Sequence, residues 1–351
     1  MIDVTHHHRK PLPHGNFSLE GYFETVRAHL SPATGVTVRA VPFLSRGLLR
    51  RLGNVLYCGM HRGGFHHVTG DIHYVTLLLP KERTVLTILD CAFESDNRYV
   101  RRELRRLLWY SLPVRRCSLV TVISEFTRAR LLALLRCDPQ KVRVVPVCVS
   151  PLFRRLDRPF NATKPRILQL GTAENKNIER LCVALRGLPC HLHIIGRLGD
   201  AQLRALSREG IEYSNSCNLS AEEVVRAYEE CDVVTLVSTY EGFGMPIIEA
   251  NAVGRPVITS EITAMPEVAA DAACLVDPFD VVSIRRGIER VIRDPGYREG
   301  LIERGYKNAL RFSAVRIAQL YEDAYLEVVA TREPLAVVRE APSGAKADSK
   351  T

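Results

Sequence analysis

Apolar positions along this chain fall into two patterns that alternate from end to end. Short, nearly uninterrupted apolar runs read as buried strands. Longer stretches with apolar residues three and four apart read as helices. The first half predicts strands at 2–5, 36–42, 65–68, 84–89, 119–123 and 142–145, with helices at 18–30, 97–112 and 125–136. Ser124, just before Glu125, is a natural N-cap. The second half restarts the alternation, with strands at 166–170, 191–195, 211–213, 232–237, 256–259 and 272–276. A helix is predicted near 177–186, another opens on a Ser220/Glu223 capping box, and three helical segments run from 280 to about 331.

Strand–helix alternation implies an α/β fold: parallel, doubly wound, Rossmann-like sheets with right-handed crossovers. Pro146, Pro151, Pro159 and Pro165 interrupt the alternation and mark a linker. The expected organisation is a first Rossmann-like domain at 1–150, a linker at 151–165, a second Rossmann-like domain at 166–312, a helix at 313–332 crossing back to the first domain, and a polar, disordered tail at 333–351.

Ligands of doubly wound sheets bind outside the carboxyl ends of the strands. The loops after Leu170, Ile195, Val237 and Thr259 lie at such ends. One of them opens the stretch Ser238-Thr239-Tyr240-Glu241-Gly242-Phe243-Gly244-Met245-Pro246-Ile247-Ile248-Glu249-Ala250. It reads as a glycine turn that starts a helix, where free backbone N–H groups hold an anion such as a diphosphate. Glu241 sits in the turn. Glu249 sits past the first helical turn, where a carboxylate accepts hydrogen bonds from a pair of sugar hydroxyls. The combination points to a nucleotide sugar.

Composition narrows this little. The chain is 46% hydrophobic and 25% charged, ordinary for a soluble globular protein. It has no bilayer-length apolar run and no secretory leader pattern at Met1–His6. Its ten cysteines show no Cys-x-x-Cys spacing, which suits reduced thiols and a cytoplasmic location. The net charge of +9 favours acidic partners, but no aromatic-rich basic motif supports nucleic acid. His6-His7-His8 reads as a solvated turn after the first strand. Cys190-His191-Leu192-His193 carries metal-ligand residue types but reads as one strand, so no metal is expected. The segment 98–109 reads as an arginine-rich amphipathic helix, either docked on an anionic membrane surface or packed on the core with its basic face in solvent. Asp71 and His73 follow another strand. They either face the cleft or serve as a helix cap and a helix-surface histidine.

The 238–250 stretch, with Ala250-Asn251-Ala252-Val253-Gly254-Arg255-Pro256 after it, resembles glycosyltransferase family 4, the retaining enzymes of the two-domain GT-B fold. Gly171-Thr172-Ala173-Glu174-Asn175-Lys176-Asn177, Leu192–Gly196, Pro266-Glu267-Val268 and Leu275-Val276-Asp277-Pro278 are similar to that family's other landmarks, as are Thr121–Glu125 and Val144-Val145-Pro146. The resemblance implies a GT-B fold with two Rossmann-like domains around a central cleft. It implies transfer of a sugar from a nucleoside-diphosphate sugar to a hydroxyl of a lipid-linked, polysaccharide or small-molecule acceptor, with no cofactor and no metal.

The same resemblance implies residue roles. Glu241 contacts the donor sugar near its transferring carbon, and Asp90 is a second catalytic candidate. Backbone N–H groups of Gly242, Phe243, Gly244 and Met245 cradle the phosphates, and Glu249 holds the ribose. Lys176, in the loop of Gly171 and Thr172, neutralises the leaving diphosphate. Gly15, within Pro13–Ser18, belongs to a glycine loop facing the phosphates from the other domain. Asp71 and His73 are acceptor-side candidates. Departures exist as well. Leu89 precedes Asp90 where the family commonly has histidine, Val147-Cys148 replaces a usual Asn-Gly, and Gly171-Thr172 replaces Gly-Arg, with Arg197 as a compensating cation. No Asp-x-Asp pair occurs, in keeping with a metal-free site. The Leu89 departure motivates an alternative: a non-catalytic sugar-nucleotide-binding partner of another glycosyltransferase.

Overall fold

The computed structural model describes residues 2–11, 18–91 and 99–330. The first half contains β1 (Ile2–His8), α1 (Ser18–Ala28), β2 (Thr34–Ala40), α2 (Leu48–Met60), β3 (Phe65–Val68), β4 (Thr84–Ile88), α3 (Tyr99–Arg105), α4 (Leu112–Arg115), β5 (Leu119–Val122), α5 (Glu125–Leu134) and β6 (Val142–Val144). A π-helical stretch, Arg106–Ser111, joins α3 to α4, and a 3₁₀ segment, His73–Leu78, follows β3. The second half contains β7 (Arg166–Leu170), α6 (Ile178–Leu185), β8 (His191–Ile195), α7 (Asp200–Arg208), β9 (Tyr213–Ser216), α8 (Ala221–Glu230), β10 (Val233–Leu236), α9 (Met245–Val253), β11 (Val257–Ser260), α10 (Met265–Ala269), β12 (Cys274–Val276), α11 (Val281–Arg293), α12 (Pro295–Leu310) and α13 (Ala314–Ala330).

The strands form two six-stranded parallel sheets, ordered β2-β1-β3-β4-β5-β6 and β12-β11-β10-β7-β8-β9. The inner strands β3, β4 and β10 are buried at every position. A parallel sheet covered by helices on both faces needs such runs. Caps follow from local chemistry. The Ser124 hydroxyl accepts from the Thr127 N–H at the start of α5, and Ser220 and Glu223 complete a reciprocal capping box on α8.

Several expectations are corrected. His6, His7 and His8 do not form a solvated turn. They continue β1 and are buried, because β1 pairs with β2 and β3 on both sides. Helix α2 had no counterpart among the predicted elements; Gly53 and Gly59, poor helix formers, lie within it. Strand β9 lies later than expected, at Tyr213–Ser216. Histidines 191 and 193 both reach the Ser214 hydroxyl, at 2.9 and 2.7 Å, as strand neighbours. The expected tail at 333–351 lies outside the described residues.

Helix α13 packs on the first sheet. The Tyr325 hydroxyl bonds His6 Nε2 (3.0 Å) and His67 Nδ1 (2.8 Å), and the Tyr321 hydroxyl bonds that of Tyr22 (3.0 Å). Glu322 accepts from the Ser31 N–H and the Thr34 hydroxyl. One apolar cluster, with Phe23, Ile123, Leu168, Leu236, Phe243 and Tyr325, runs through the contact between the two halves.

Candidate active site

The site grows from the ends of β7 and β10. Gly171 leaves β7 with φ of 80°, a left-handed conformation that costs a side-chain-bearing residue energy. A Cβ there would stand 2.9 Å from Lys176 Cε, so the missing side chain lets Lys176 fold back over the strand end. Asn177 is also left-handed, at φ 59°. Its buried amide donates to Val237 O (2.9 Å) and Pro278 O (2.7 Å). Asn175 donates to Tyr240 O at 2.8 Å and accepts from the Thr239 N–H at the same distance. The lysine loop and the acidic turn are therefore laced into one unit.

Within it Lys176 Nζ donates to Glu241 Oε1 at 2.6 Å, with only 18% and 15% of the two side chains exposed. The Ser238 hydroxyl donates to the same oxygen at 2.7 Å, and the Glu241 N–H donates to Thr263 Oγ1 at 3.3 Å. A charge-assisted bond in this setting is short and directional. Gly244 caps α9, whose first turn begins Met245-Pro246. Pro246 has no N–H and the Ile247 N–H donates to Gly244 O at 3.0 Å, so the Met245 N–H is the one that the first turn can offer to an anion. The Phe243 ring is buried edge-on against Phe312, so this residue offers only its backbone. Glu249, in the second turn, receives the Tyr228 hydroxyl at 2.5 Å. Burial pushes its carboxyl up to about 7, opposed by the Tyr228 bond and the Lys176 charge. Lys176 thus acts on both carboxylates.

The first half closes over this turn. A Cβ on Gly242 would meet Leu89 O at 2.6 Å and Asp90 Cβ at 3.0 Å, so the turn abuts the end of β4 as closely as glycine allows. The Ser124 and Thr127 hydroxyls donate to Gly242 O at 2.6 and 3.2 Å. Glu267 accepts from the Glu125 and Phe126 N–H groups at 2.8 and 3.0 Å, where its charge also suits the positive end of α5.

Asp90 is exposed beside Gly242, and its carbonyl accepts from the Tyr110 hydroxyl at 3.3 Å. Leu89 packs into the shared apolar cluster. His73 is buried, neither a surface residue nor capped by Asp71. Its Nδ1 donates to Trp109 O at 2.8 Å, and burial lowers its basicity against the pull of Trp109 O, Asp71 and Asp90. Thr172 donates to Arg197 O at 2.7 Å, which places the exposed Arg197 beside the lysine loop. Gly15 and its loop lie outside the described residues. Among the described residues no three His, Cys, Asp or Glu side chains gather as metal ligands would.

Ser238 lay within the sequence motif without a role. Tyr228, Asn177, Thr263 and Glu267 were not singled out as site residues. Tyr228 stands 21 positions before Glu249, and only the packing of α8 on α9 brings them together.

Two six-stranded parallel sheets, with the end of β4 brought against the turn after β10, are the GT-B architecture of glycosyltransferases. Sucrose-phosphate synthase from Thermosynechococcus elongatus superposes with a TM-score of 0.74 at 17% identity, covering 94% of this chain and 100% of that one. Anabaena HepE, solved with UDP and glucose, gives 0.73 at 15% identity, covering 93% and 100%. A family model described as "Glycosyl transferases group 1" matches residues 154–308. The O-antigen chain mannosyltransferase B of Escherichia coli is 30% identical over 260 residues, 66% of this chain and 67% of that protein. The MMP alpha-(1->4)-mannosyltransferase of Mycolicibacterium hassiacum is 28% identical over 235 residues, 59% and 54% respectively. The chain belongs to the group 1 glycosyl transferases, and its work is sugar transfer.

Proposed function

We propose that this protein is a retaining glycosyltransferase of the family 4 type, which moves a hexose from a nucleoside-diphosphate sugar to an acceptor hydroxyl. The Lys176–Glu241 pair beside the mouth of α9 carries the reading. A diphosphate at that mouth meets the backbone N–H groups of Gly244 and Met245 and the Lys176 ammonium, while Glu249 receives the ribose hydroxyls. Glu241, pinned by Ser238 and Lys176, faces the sugar. The bond from the sugar's anomeric carbon to the diphosphate oxygen breaks and the electron pair leaves with the diphosphate. The acceptor oxygen bonds the same carbon from the same face, and its proton passes to the departing phosphate oxygen. Fixed positive charge at the leaving group is the stabilisation this step needs most.

The sugar proposed is mannose, because the relatives that align over most of the chain are named mannosyltransferases. The acceptor proposed is a growing glycan. Thermal shift with GDP-mannose, UDP-glucose and UDP-N-acetylglucosamine, followed by product analysis of the anomeric configuration, tests the reading. An inverted product, or no stabilisation by any nucleotide sugar, would refute it.

A further inference from the structure

Helix α2 turns its apolar stripe away from the protein. Leu48, Leu49, Leu52, Leu56 and Met60 are 78%, 83%, 51%, 51% and 75% exposed, and the spacing of 48, 52, 56 and 60 puts them on one face. The helix is not free to roll. Asn54 accepts from the Phe43 N–H at 3.0 Å and donates to Phe43 O at 2.9 Å and the Tyr74 hydroxyl at 3.0 Å. On the inward side Gly53 lies against the Phe43 ring and Gly59 against Leu78, each too close for a side chain. Leu78, Leu104 and Leu107, on the elements beside it, are also exposed. Apolar patches of this kind mark interaction sites.

The charge around the stripe selects the partner. From 25 to 70 the chain carries six arginines and no carboxylate. Arg46, Arg50 and Arg62 are exposed on and around α2. Among the described residues of neighbouring elements the carboxylate of Glu103 is held by Arg106 at 2.7 Å, leaving Asp71 and Glu82. A second copy of the same face would set arginine against arginine. A surface of phosphates over hydrocarbon suits both features at once.

We propose that α2 is an interfacial helix that seats the first half of the protein on an anionic phospholipid bilayer, leucines at the acyl boundary and arginines on the headgroup phosphates. The surface connects directly to the acceptor side. Arg51 lies over the Trp109 ring at 4.4 Å, and Trp109 accepts from His73 through its carbonyl and donates to Asp71 O at 3.2 Å. Docking therefore holds the cleft beside acceptors carried by the membrane. No helix among the described residues is long and apolar enough to cross it.

Co-sedimentation of the full chain with phosphatidylcholine vesicles containing about 30% phosphatidylglycerol, against pure phosphatidylcholine, tests this at low and raised salt. Binding is expected to the anionic vesicles only, weakening with salt. Leu49→Glu with Leu56→Glu, and separately Arg46→Ala with Arg50→Ala and Arg62→Ala, should each lose about tenfold or more in affinity. Unchanged melting temperature and nucleotide affinity would show that these exposed changes leave the fold intact. Absence of wild-type binding, or variants that bind as the wild type does, overturns the proposal. So does light scattering that shows a dimer dissolved by the leucine changes without any vesicle binding. The assay uses no sugar donor, so its failure is distinct from failure of the transfer reading.

Discussion

The Tyr228 hydroxyl donates to Glu249 Oε2 across 2.5 Å, joining α8 to α9, the helix that follows the glycine turn. Glu249 titrates at about 7 because burial opposes its charge. A ribose hydroxyl donates to a carboxylate better than to a carboxyl, so nucleotide affinity should weaken as pH falls through about 7. Tyr228→Phe removes a bond that favours the charged form, which raises the carboxyl further and moves the midpoint of that weakening upward. The cost at pH 8 should be roughly 1 kcal/mol of binding. Calorimetry with UDP and GDP from pH 5.5 to 8.5 checks it. A flat affinity profile would contradict the role given to Glu249.

The linkage also runs through stability. The folded value of Glu249 lies above its ordinary value, so the unliganded protein gains stability from it below about pH 4.5 and loses that gain as pH rises through about 7. Nucleotide binding, which uses the charged form, should therefore stabilise the protein more at pH 8 than at pH 6, a difference that melting curves with and without nucleotide report.

If the charge of Lys176 serves the leaving group as proposed, Lys176→Met should lower turnover by about 10²-fold or more, beyond the stability lost by leaving Glu241 without its cation. Gly171→Ala should reproduce much of that loss. The new methyl group would displace Lys176, and the left-handed backbone adds roughly 1–2 kcal/mol of strain. Steady-state kinetics alongside thermal melting separate the two effects. If Gly171→Ala lowers only stability, the lysine is not held by that contact.

Glu267 accepts two N–H groups from the start of α5 across the contact between the halves. Glu267→Ala removes a cap and a favourable charge, worth roughly 0.5–2 kcal/mol. Because the contact joins two halves, the loss should open the cleft. Small-angle scattering should show a larger radius of gyration without nucleotide and a return toward the wild-type value with it. An unchanged radius in both states would mean that Glu267 caps α5 without holding the halves together.

The alternation of apolar runs made both sheets legible, since a doubly covered parallel strand cannot hide its composition. The glycine turn with Glu241 and Glu249 was legible for a related reason: its geometry depends on residues adjacent in sequence. What escaped depends on distance. Tyr228, Thr263 and Glu267 reach the site only after helices and sheets have packed. Helix α2 escaped because Gly53 and Gly59 lower the helical propensity of its sequence, while only the folded protein shows that its leucines face outward and Asn54 inward. The three histidines of β1 resemble a turn by polarity alone, and only the pairing of β1 on both sides carries the strand through them.

Those histidines give the last prediction. His6 and His67 hold Tyr325 of α13, and His7 Nε2 meets His66 Nδ1 at 3.1 Å, all in the interior of the first sheet. Burial depresses their basicity, His7 to about 3 and His8 to about 4, with His6 and His67 also well below the ordinary value. In the unfolded chain each takes a proton near pH 6.5. The stability they permit is thus complete above about pH 6.5 and declines as pH falls toward 4 and 3, by up to about 1.4 kcal/mol per histidine per pH unit. Melting temperature should drop steeply between pH 6.5 and 5. His67→Gln, which keeps hydrogen-bonding capacity without a charge to gain, should flatten that slope at some cost in stability at pH 8. A slope unaffected by this change would mean that other groups govern the acid sensitivity, and that α13 is held by its apolar face rather than by neutral imidazoles.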